Sequence, residues 1–394
     1  MTVVADKIVE SIERSSWIRE MFEAGNRLRA QIGADKVFDF TLGNPDLEPP
    51  AAFKTVLKEL VADEAPGLHG YPSNAGIPEA RGAVAGFLKS ELGLGFTADD
   101  IIMTVGAGGG LNVALKTILN PGDEVIAPSP YFAEYNFYVD NHGGVLKLAE
   151  TNPDFTLNLA NIEAAVTDKT RAVLINSPNN PTGVVYPEEN IRDLSALLDR
   201  VSARQGRPVY LLSDEPYRKL VYDGVTVPSV FAHRKHVLCV TSYSKDLSLP
   251  GERIGFLAVH PEVPDKQTLL AGLIMSNRIL GYVNAPVLMQ RAVARLQGVS
   301  VDPAVYQRRR DLFVAGLRDA GFDLTEPKGA FYLFPKSPIA DDVAFTREMQ
   351  TENILVVPGR GFGKEGYFRL IFCIDEKIIE KALPGFKRVR ERLS

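Results

Sequence analysis

Lys245 closes the run Thr241-Ser242-Tyr243-Ser244-Lys245, directly after the apolar stretch Val237-Leu238-Cys239-Val240. Arg253 follows in Pro250-Gly251-Glu252-Arg253-Ile254-Gly255. A lysine at the end of a buried strand is costly unless it has a task. Forming a Schiff base with an aldehyde removes its charge and gives it one. Ser242, Ser244 and Arg253 could then hold a phosphate beside that aldehyde.

Other polar residues follow apolar runs in the same way. Ala172-Val173-Leu174-Ile175 leads into Asn176-Ser177-Pro178-Asn179-Asn180-Pro181-Thr182-Gly183, and Val209-Tyr210-Leu211-Leu212 leads into Ser213-Asp214-Glu215-Pro216-Tyr217. Three strand ends thus present an amide, a carboxylate and an amine, where open α/β sheets bind their ligands. Gly106-Ala107-Gly108-Gly109-Gly110 follows Ile101-Ile102-Met103-Thr104 and opens a helical pattern. Backbone N–H groups at such a start suit an anion. Position 111 is leucine, so the G-x-G-x-x-G dinucleotide fingerprint is not met, and a nicotinamide reading loses support. An aldehyde carrying a phosphate, held by these groups, points toward pyridoxal phosphate.

The elements that must position them alternate. Strand patterns fall at 101–104, 124–127, 144–148, 171–176, 209–213, 237–241 and 254–259, with helical patterns after 104, from Tyr131 and over 187–204. This predicts α/β architecture around a largely parallel sheet covered on both faces. Residues 5–32 read as a helix on the spacing of Ile8, Ile12, Trp17, Met21 and Leu28, and Val37–Leu42 reads as a strand. Beyond about residue 300 the pattern changes to a long helix over 302–320, short strands at 331–334, 354–357 and 368–373, and a terminal helix. That predicts a large domain over 45–290 and a smaller α+β domain made from 1–44 with 291–394.

Of 394 residues, 45% are hydrophobic and 24% charged, and the formal net charge is -5, which gives no electrostatic case for nucleic acid. The two cysteines, Cys239 and Cys373, both lie in apolar runs and read as buried thiols. No histidine spacing suggests a metal. No stretch reaches transmembrane length and the N-terminus lacks a signal-peptide core, so the cytoplasm is the expected compartment. Arg308-Arg309-Arg310 reads as a solvated helix face.

In combination, Pro178-x-Asn180-Pro181-Thr182-Gly183, Asp214-Glu215-x-Tyr217 and Ser242-x-Ser244-Lys245 with Arg253 resemble the class I/II aminotransferases, pyridoxal-phosphate enzymes of fold type I. The resemblance runs from Leu42-Gly43-Asn44-Pro45 to Phe368-Arg369-Leu370. It implies that Lys245 binds the cofactor and moves the substrate proton, and that Asp214 pairs with the pyridinium nitrogen. It implies that Asn180 and Tyr217 bond the ring's 3-oxygen and that Tyr131 stacks on the ring face. Ala107, Gly108, Ser242 and Arg253 would hold the phosphate, with Tyr71 reaching across from the second subunit of a homodimer. Arg369 would clamp the substrate α-carboxylate as a bidentate pair, with Gly43 and Asn44 closing over it. The implied reaction is amino transfer from an L-amino acid to a 2-oxo acid, 2-oxoglutarate by family habit. One departure stands out: the family usually has bulkier residues at Gly109 and Gly110, where glycine costs about 1 kcal/mol each relative to alanine.

Side-chain specificity is open at this level. Arg278 could supply a cation for a second carboxylate, which slightly favours aspartate. Otherwise Trp17, Ile18 and Tyr282 could line an apolar pocket for alanine or larger neutral and aromatic side chains. The same cradle serves C–S β-lyases. Aminotransferase-like domains also act as sensors in transcription regulators, but only about forty residues precede the sheet here, few for a DNA-binding domain. Each motif has an ordinary reading as a turn, a helix cap or a core aromatic. Together, in this order and at strand ends, they are hard to explain that way.

Overall fold

The computed structural model describes residues 3–14, 25, 28–33 and 36–393. Among them run β1 (Phe38–Asp39), β2 (Ile101–Thr104), β3 (Glu124–Ser129), β4 (Val145–Glu150), β5 (Thr170–Asn176) and β6 (Tyr210–Asp214). They are followed by β7 (Val237–Ser242), β8 (Gly255–Val259), β9 (Tyr332–Leu333), β10 (Ile354–Leu355), β11 (Val357–Pro358) and β12 (Phe368–Ile371). Seven form one sheet in the order β2-β8-β7-β6-β5-β3-β4. Pairing is parallel from β4 through β7, and β8 runs antiparallel to both β7 and β2.

Successive side chains of these strands enter opposite cores, as a period of two requires. In β5, Val173 and Ile175 pack with Ile126 and Leu211, while Ala172 and Leu174 pack with Val125 and Leu212. The helices Pro78–Leu92 and Glu188–Gln205 cover the first face through Val84, Leu194 and Leu198. Gly106–Ile118 and Lys266–Ile279 cover the second through Leu111, Leu115 and Leu273. Burial on both faces explains why the strands read as unbroken apolar runs.

A third core gathers Phe40 with Phe313, Phe331, Phe345, Phe368 and Phe386. It lies among the helices Pro303–Asp319, Asp342–Gln350 and Glu376–Arg392, the antiparallel sheet β11-β12-β9 and the parallel pair β1-β10. Asp302, Asp341 and Asp375 start these three helices by accepting backbone N–H bonds. β12 is therefore held on both edges, and it carries Arg369.

Several expectations change. The helix expected over 5–32 is helical at each described position from 6 to 32, namely 6–14, 25 and 28–32, and Trp17, Ile18 and Met21 lie outside the described residues. The strand expected over 37–42 is limited to Phe38–Asp39. Pro78–Leu92 escapes the apolar pattern because its buried side is only Ala80, Val84 and Ala85. Arg308-Arg309-Arg310 is not a uniformly solvated face. Three successive helix positions sweep more than half a turn, so Arg309 and Arg310 are buried, paired with Asp46 and Asp223 at 2.7 Å each, and Arg308 stays exposed.

Gly109 and Gly110 have a packing reason. A Cβ on Gly109 would meet Val105 Cγ2 at 2.5 Å, and one on Gly110 would meet Val240 Cγ1 at 3.0 Å. Their absence lets the helix start lie against β7. Cys239 and Cys373 are buried free thiols.

Candidate active site

A cavity of about 420 Å³ opens where β5, β6 and β7 end and the helix Gly106–Ile118 begins. Ala107, Gly108, Asn180, Asp214, Tyr217, Ser242, Lys245, Arg253, Gly43 and Arg369 all line it. Residues more than 300 positions apart in sequence thus meet at one place.

Its floor is built from strand ends. Asn176, the last residue of β5, donates from Nδ2 to the Asp214 carbonyl at 2.7 Å and accepts the Asn180 N–H on Oδ1 at 2.6 Å. This ties the β5 and β6 exits together and fixes Asn180. Asp214 is buried, and its Oδ2 accepts the Tyr135 hydroxyl at 2.7 Å. Burial raises the Asp214 pKa to about 7, against the lowering effect of that bond. Its second oxygen, Oδ1, is buried with no partner among the described residues.

Lys245 donates from Nζ to the Gly43 carbonyl at 2.9 Å and lies near the rings of Phe331 and Tyr217. Burial lowers its pKa to about 8, so the neutral amine is within reach near physiological pH. The Tyr217 hydroxyl meets that of Tyr332 at 2.7 Å. A side chain on Gly43 would strike the Tyr332 hydroxyl, so glycine is required where the chain closes over the lysine.

One end of the cavity suits a dianion. The first turn of Gly106–Ile118 leaves backbone N–H groups without intrahelical partners. The Ser242 and Ser244 hydroxyls and the Arg253 guanidinium stand beside it. Arg253 adopts a left-handed backbone (φ 51°) after a short 3-10 turn. Gly106 (φ 74°) leaves room for the Arg253 guanidinium, which a Cβ there would meet at 3.0 Å.

The opposite wall holds Arg369. One of its terminal nitrogens donates to Asn180 Oδ1 at 3.1 Å and the other to the Thr41 carbonyl. The guanidinium lies 4.6 Å from the Phe362 ring centroid and 5.0 Å from that of Tyr332. Its Nε is buried and unpartnered, and no carboxylate pairs with it among the described residues. A buried guanidinium in this state calls for an anionic ligand.

Three expected positions lie elsewhere. Tyr131 does not line the cavity: its N–H bonds the Phe362 carbonyl at 3.0 Å, and its ring packs against Gly363. Phe132 lines the cavity instead, a one-residue change within Pro130-Tyr131-Phe132 that alternation of direction would produce. Asn44 is exposed and off the cavity wall, its carbonyl accepting from Cys373 Sγ at 3.4 Å. Arg278 is exposed on Lys266–Ile279 and does not line the cavity of its own chain. Tyr71 is 92% exposed. Sequence reasoning missed Glu134, Tyr138 and Tyr332 on the wall and Tyr135 behind Asp214, because none belongs to a recognisable motif.

A second cavity of about 440 Å³ lies between Pro78–Leu92 and the segment 215–231. Two ion pairs line it, Arg218 with Glu215 at 2.9 Å and Lys219 with Asp246 at 3.0 Å. Asp214 Oδ1 and Arg369 Nε, both buried and unpartnered among the described residues, are in the first.

The family model of aminotransferases of class I and II matches residues 35–385. The chain belongs to this family. It is 35% identical to an aspartate/prephenate aminotransferase of Thermus thermophilus, over 93% of each chain. An amino transferase structure from Eubacterium rectale superposes with a TM-score of 0.96 at 39% identity, covering 100% of both chains. The Thermus thermophilus aspartate aminotransferase with maleate gives 0.85 at 30% identity, over 99% and 100%. This aminotransferase therefore has the fold type I architecture, and its family uses pyridoxal phosphate. The residues present fit that group: Asp214 Oδ1 lacks a partner, Lys245 is a desolvated amine, and a phosphate-sized cradle stands at a helix start.

Proposed function

We propose that this enzyme transfers an amino group between an L-α-amino acid and a 2-oxo acid with pyridoxal phosphate held on Lys245. The observation that carries the reading is the pair of unmatched buried groups on one cavity, Asp214 Oδ1 and Arg369 Nε, with Lys245 lining the same cavity. Bound there, the cofactor would act as the electron sink for the bond broken at the amino acid's Cα.

The chain's own groups then have distinct tasks. Ser242, Ser244, Arg253 and the Ala107 and Gly108 amides would hold the phosphate. Asp214 would keep the ring nitrogen protonated, Asn180 and Tyr217 would bond the ring oxygen, and Phe132 would cover the ring face in place of Tyr131. Arg369 would take the α-carboxylate in a geometry that lysine lacks. The Lys245 amine, its pKa near 8, would carry the proton away from Cα.

We read the chain as a homodimer in which Tyr71 reaches the partner's phosphate site, with a large domain over 45–290 and a small one from both ends. No helix among the described residues is long and apolar enough to cross a membrane, which fits an enzyme of the cytoplasm. By resemblance the donor and acceptor would be aspartate and 2-oxoglutarate. Both carry a second carboxylate, and the cavity offers no cation beyond Lys245, Arg253 and Arg369 among the described residues. The β-lyase reading has no observation that favours it. Incubation with an amino acid and a 2-oxo acid, with both products quantified, tests the proposal. Amino transfer supports it, and release of ammonia alone opposes it.

A further inference from the structure

Among the described residues, five charged side chains line the cavity: Lys245, Arg253, Arg369, Asp214 and Glu134. On the function proposed above, on which this inference rests, the first four each have a partner in the cofactor or the substrate α-carboxylate. Glu134 is left over.

Its position has no structural explanation. Glu134 immediately precedes the helix Tyr135–Asp140, where an acidic side chain often bonds the first free N–H groups, yet it makes no such bond. It forms no ion pair or hydrogen bond through its side chain with any described residue. It is half-buried, and burial raises its pKa. Its neighbours along this wall are Phe132, Ala133 and Tyr138, none of which is a cation. A partly desolvated carboxylate without a partner, on the wall of a substrate cavity, is a group that acts on what enters.

We infer that Glu134 selects the substrate side chain, disfavouring a second carboxylate and favouring an ammonium or another hydrogen-bond donor. Selectivity here comes from repulsion as much as attraction: a substrate carboxylate would face a fixed like charge at reduced dielectric. The same charge faces the far carboxylate of 2-oxoglutarate, so a monocarboxylic acceptor such as pyruvate is also favoured. Glu134 thus sets this chain apart from the dicarboxylate pairing that family resemblance suggests.

The test compares kcat/KM for L-aspartate, L-alanine and L-ornithine in the wild type, Glu134→Gln and Glu134→Asp. Removing the charge in Glu134→Gln is expected to raise the aspartate-to-alanine ratio about tenfold and to lower the ornithine-to-alanine ratio similarly. Glu134→Asp keeps the charge and should leave both ratios within a factor of about three of wild type. Ratios that move by less than about twofold in Glu134→Gln, or equally in both variants, would overturn the inference. Using ratios removes any general loss of folding or cofactor. A wild type that transaminates none of the three but releases ammonia would instead overturn the function beneath it.

Discussion

The Tyr135 hydroxyl donates to Asp214 Oδ2 at 2.7 Å and leaves the carboxylate's other oxygen, Oδ1, without a partner among the described residues. The two residues come from different elements, Tyr135 from a short helix after β3 and Asp214 from the end of β6. The bond orients the carboxylate and also opposes the rise in its pKa caused by burial. Tyr135 is a positioning residue: it acts on the cofactor site through Asp214.

Tyr135→Phe should therefore raise the Asp214 pKa above about 7 and lower the fraction ionised at neutral pH. A lost bond to a charged group corresponds to roughly tenfold in kcat, with KM for the donor little changed. The acid limb of the kcat profile should move to higher pH. A uniform loss of activity at every pH would indicate misfolding instead.

Arg369→Lys keeps the charge but loses the planar fork. The donor's KM should rise by roughly a hundredfold, because a desolvated bidentate pair becomes a single contact beside an unfilled donor site. The colour of bound cofactor should persist. Steady-state kinetics with an absorption spectrum would separate these effects.

Lys245 gives a pH dependence with a defined sign. Burial lowers its pKa to about 8, and the neutral amine is the nucleophile. The rate at which cofactor-free enzyme captures pyridoxal phosphate should rise as pH increases through about 8 and then level off. A rate still climbing toward the ordinary lysine range would mean that the amine is not desolvated.

Gly109→Ala sets two effects against each other. Alanine is the better helix former by about 1 kcal/mol. The new Cβ, however, would stand 2.5 Å from the stiff Val105 side chain, and overpacking of that kind costs about 1–3 kcal/mol. Denaturant unfolding should show a net loss of stability.

The sheet was largely legible because strands buried on both faces leave unbroken apolar runs, and β5, β6 and β7 end where Asn176, Asp214 and Ser242 predict. The direction of β8 was not legible, since an apolar run carries no sign of its polarity within a sheet. Motif residues such as Lys245, Asp214 and Arg253 could be placed at the site because their types are chemically unusual after apolar strands. Phe132 could not be told from Tyr131, because a turn between β3 and the next helix hides which of two adjacent aromatics faces inward. Glu134 was invisible for a further reason: its significance is the lack of a partner, which appears only once every neighbour is placed. Arg310 misled in the opposite direction, since its compensating Asp223 lies 87 residues away.

The most direct test is to mix the purified coloured enzyme with a single amino donor and no 2-oxo acid, following absorption and product together. The account predicts that the long-wavelength band bleaches, that about one equivalent of 2-oxo acid appears per subunit without free ammonia, and that adding a 2-oxo acid restores the band. The Lys245→Ala variant should show none of these changes. Continuous release of ammonia with 2-oxo acid, or bleaching that survives loss of Lys245, would contradict the central claim.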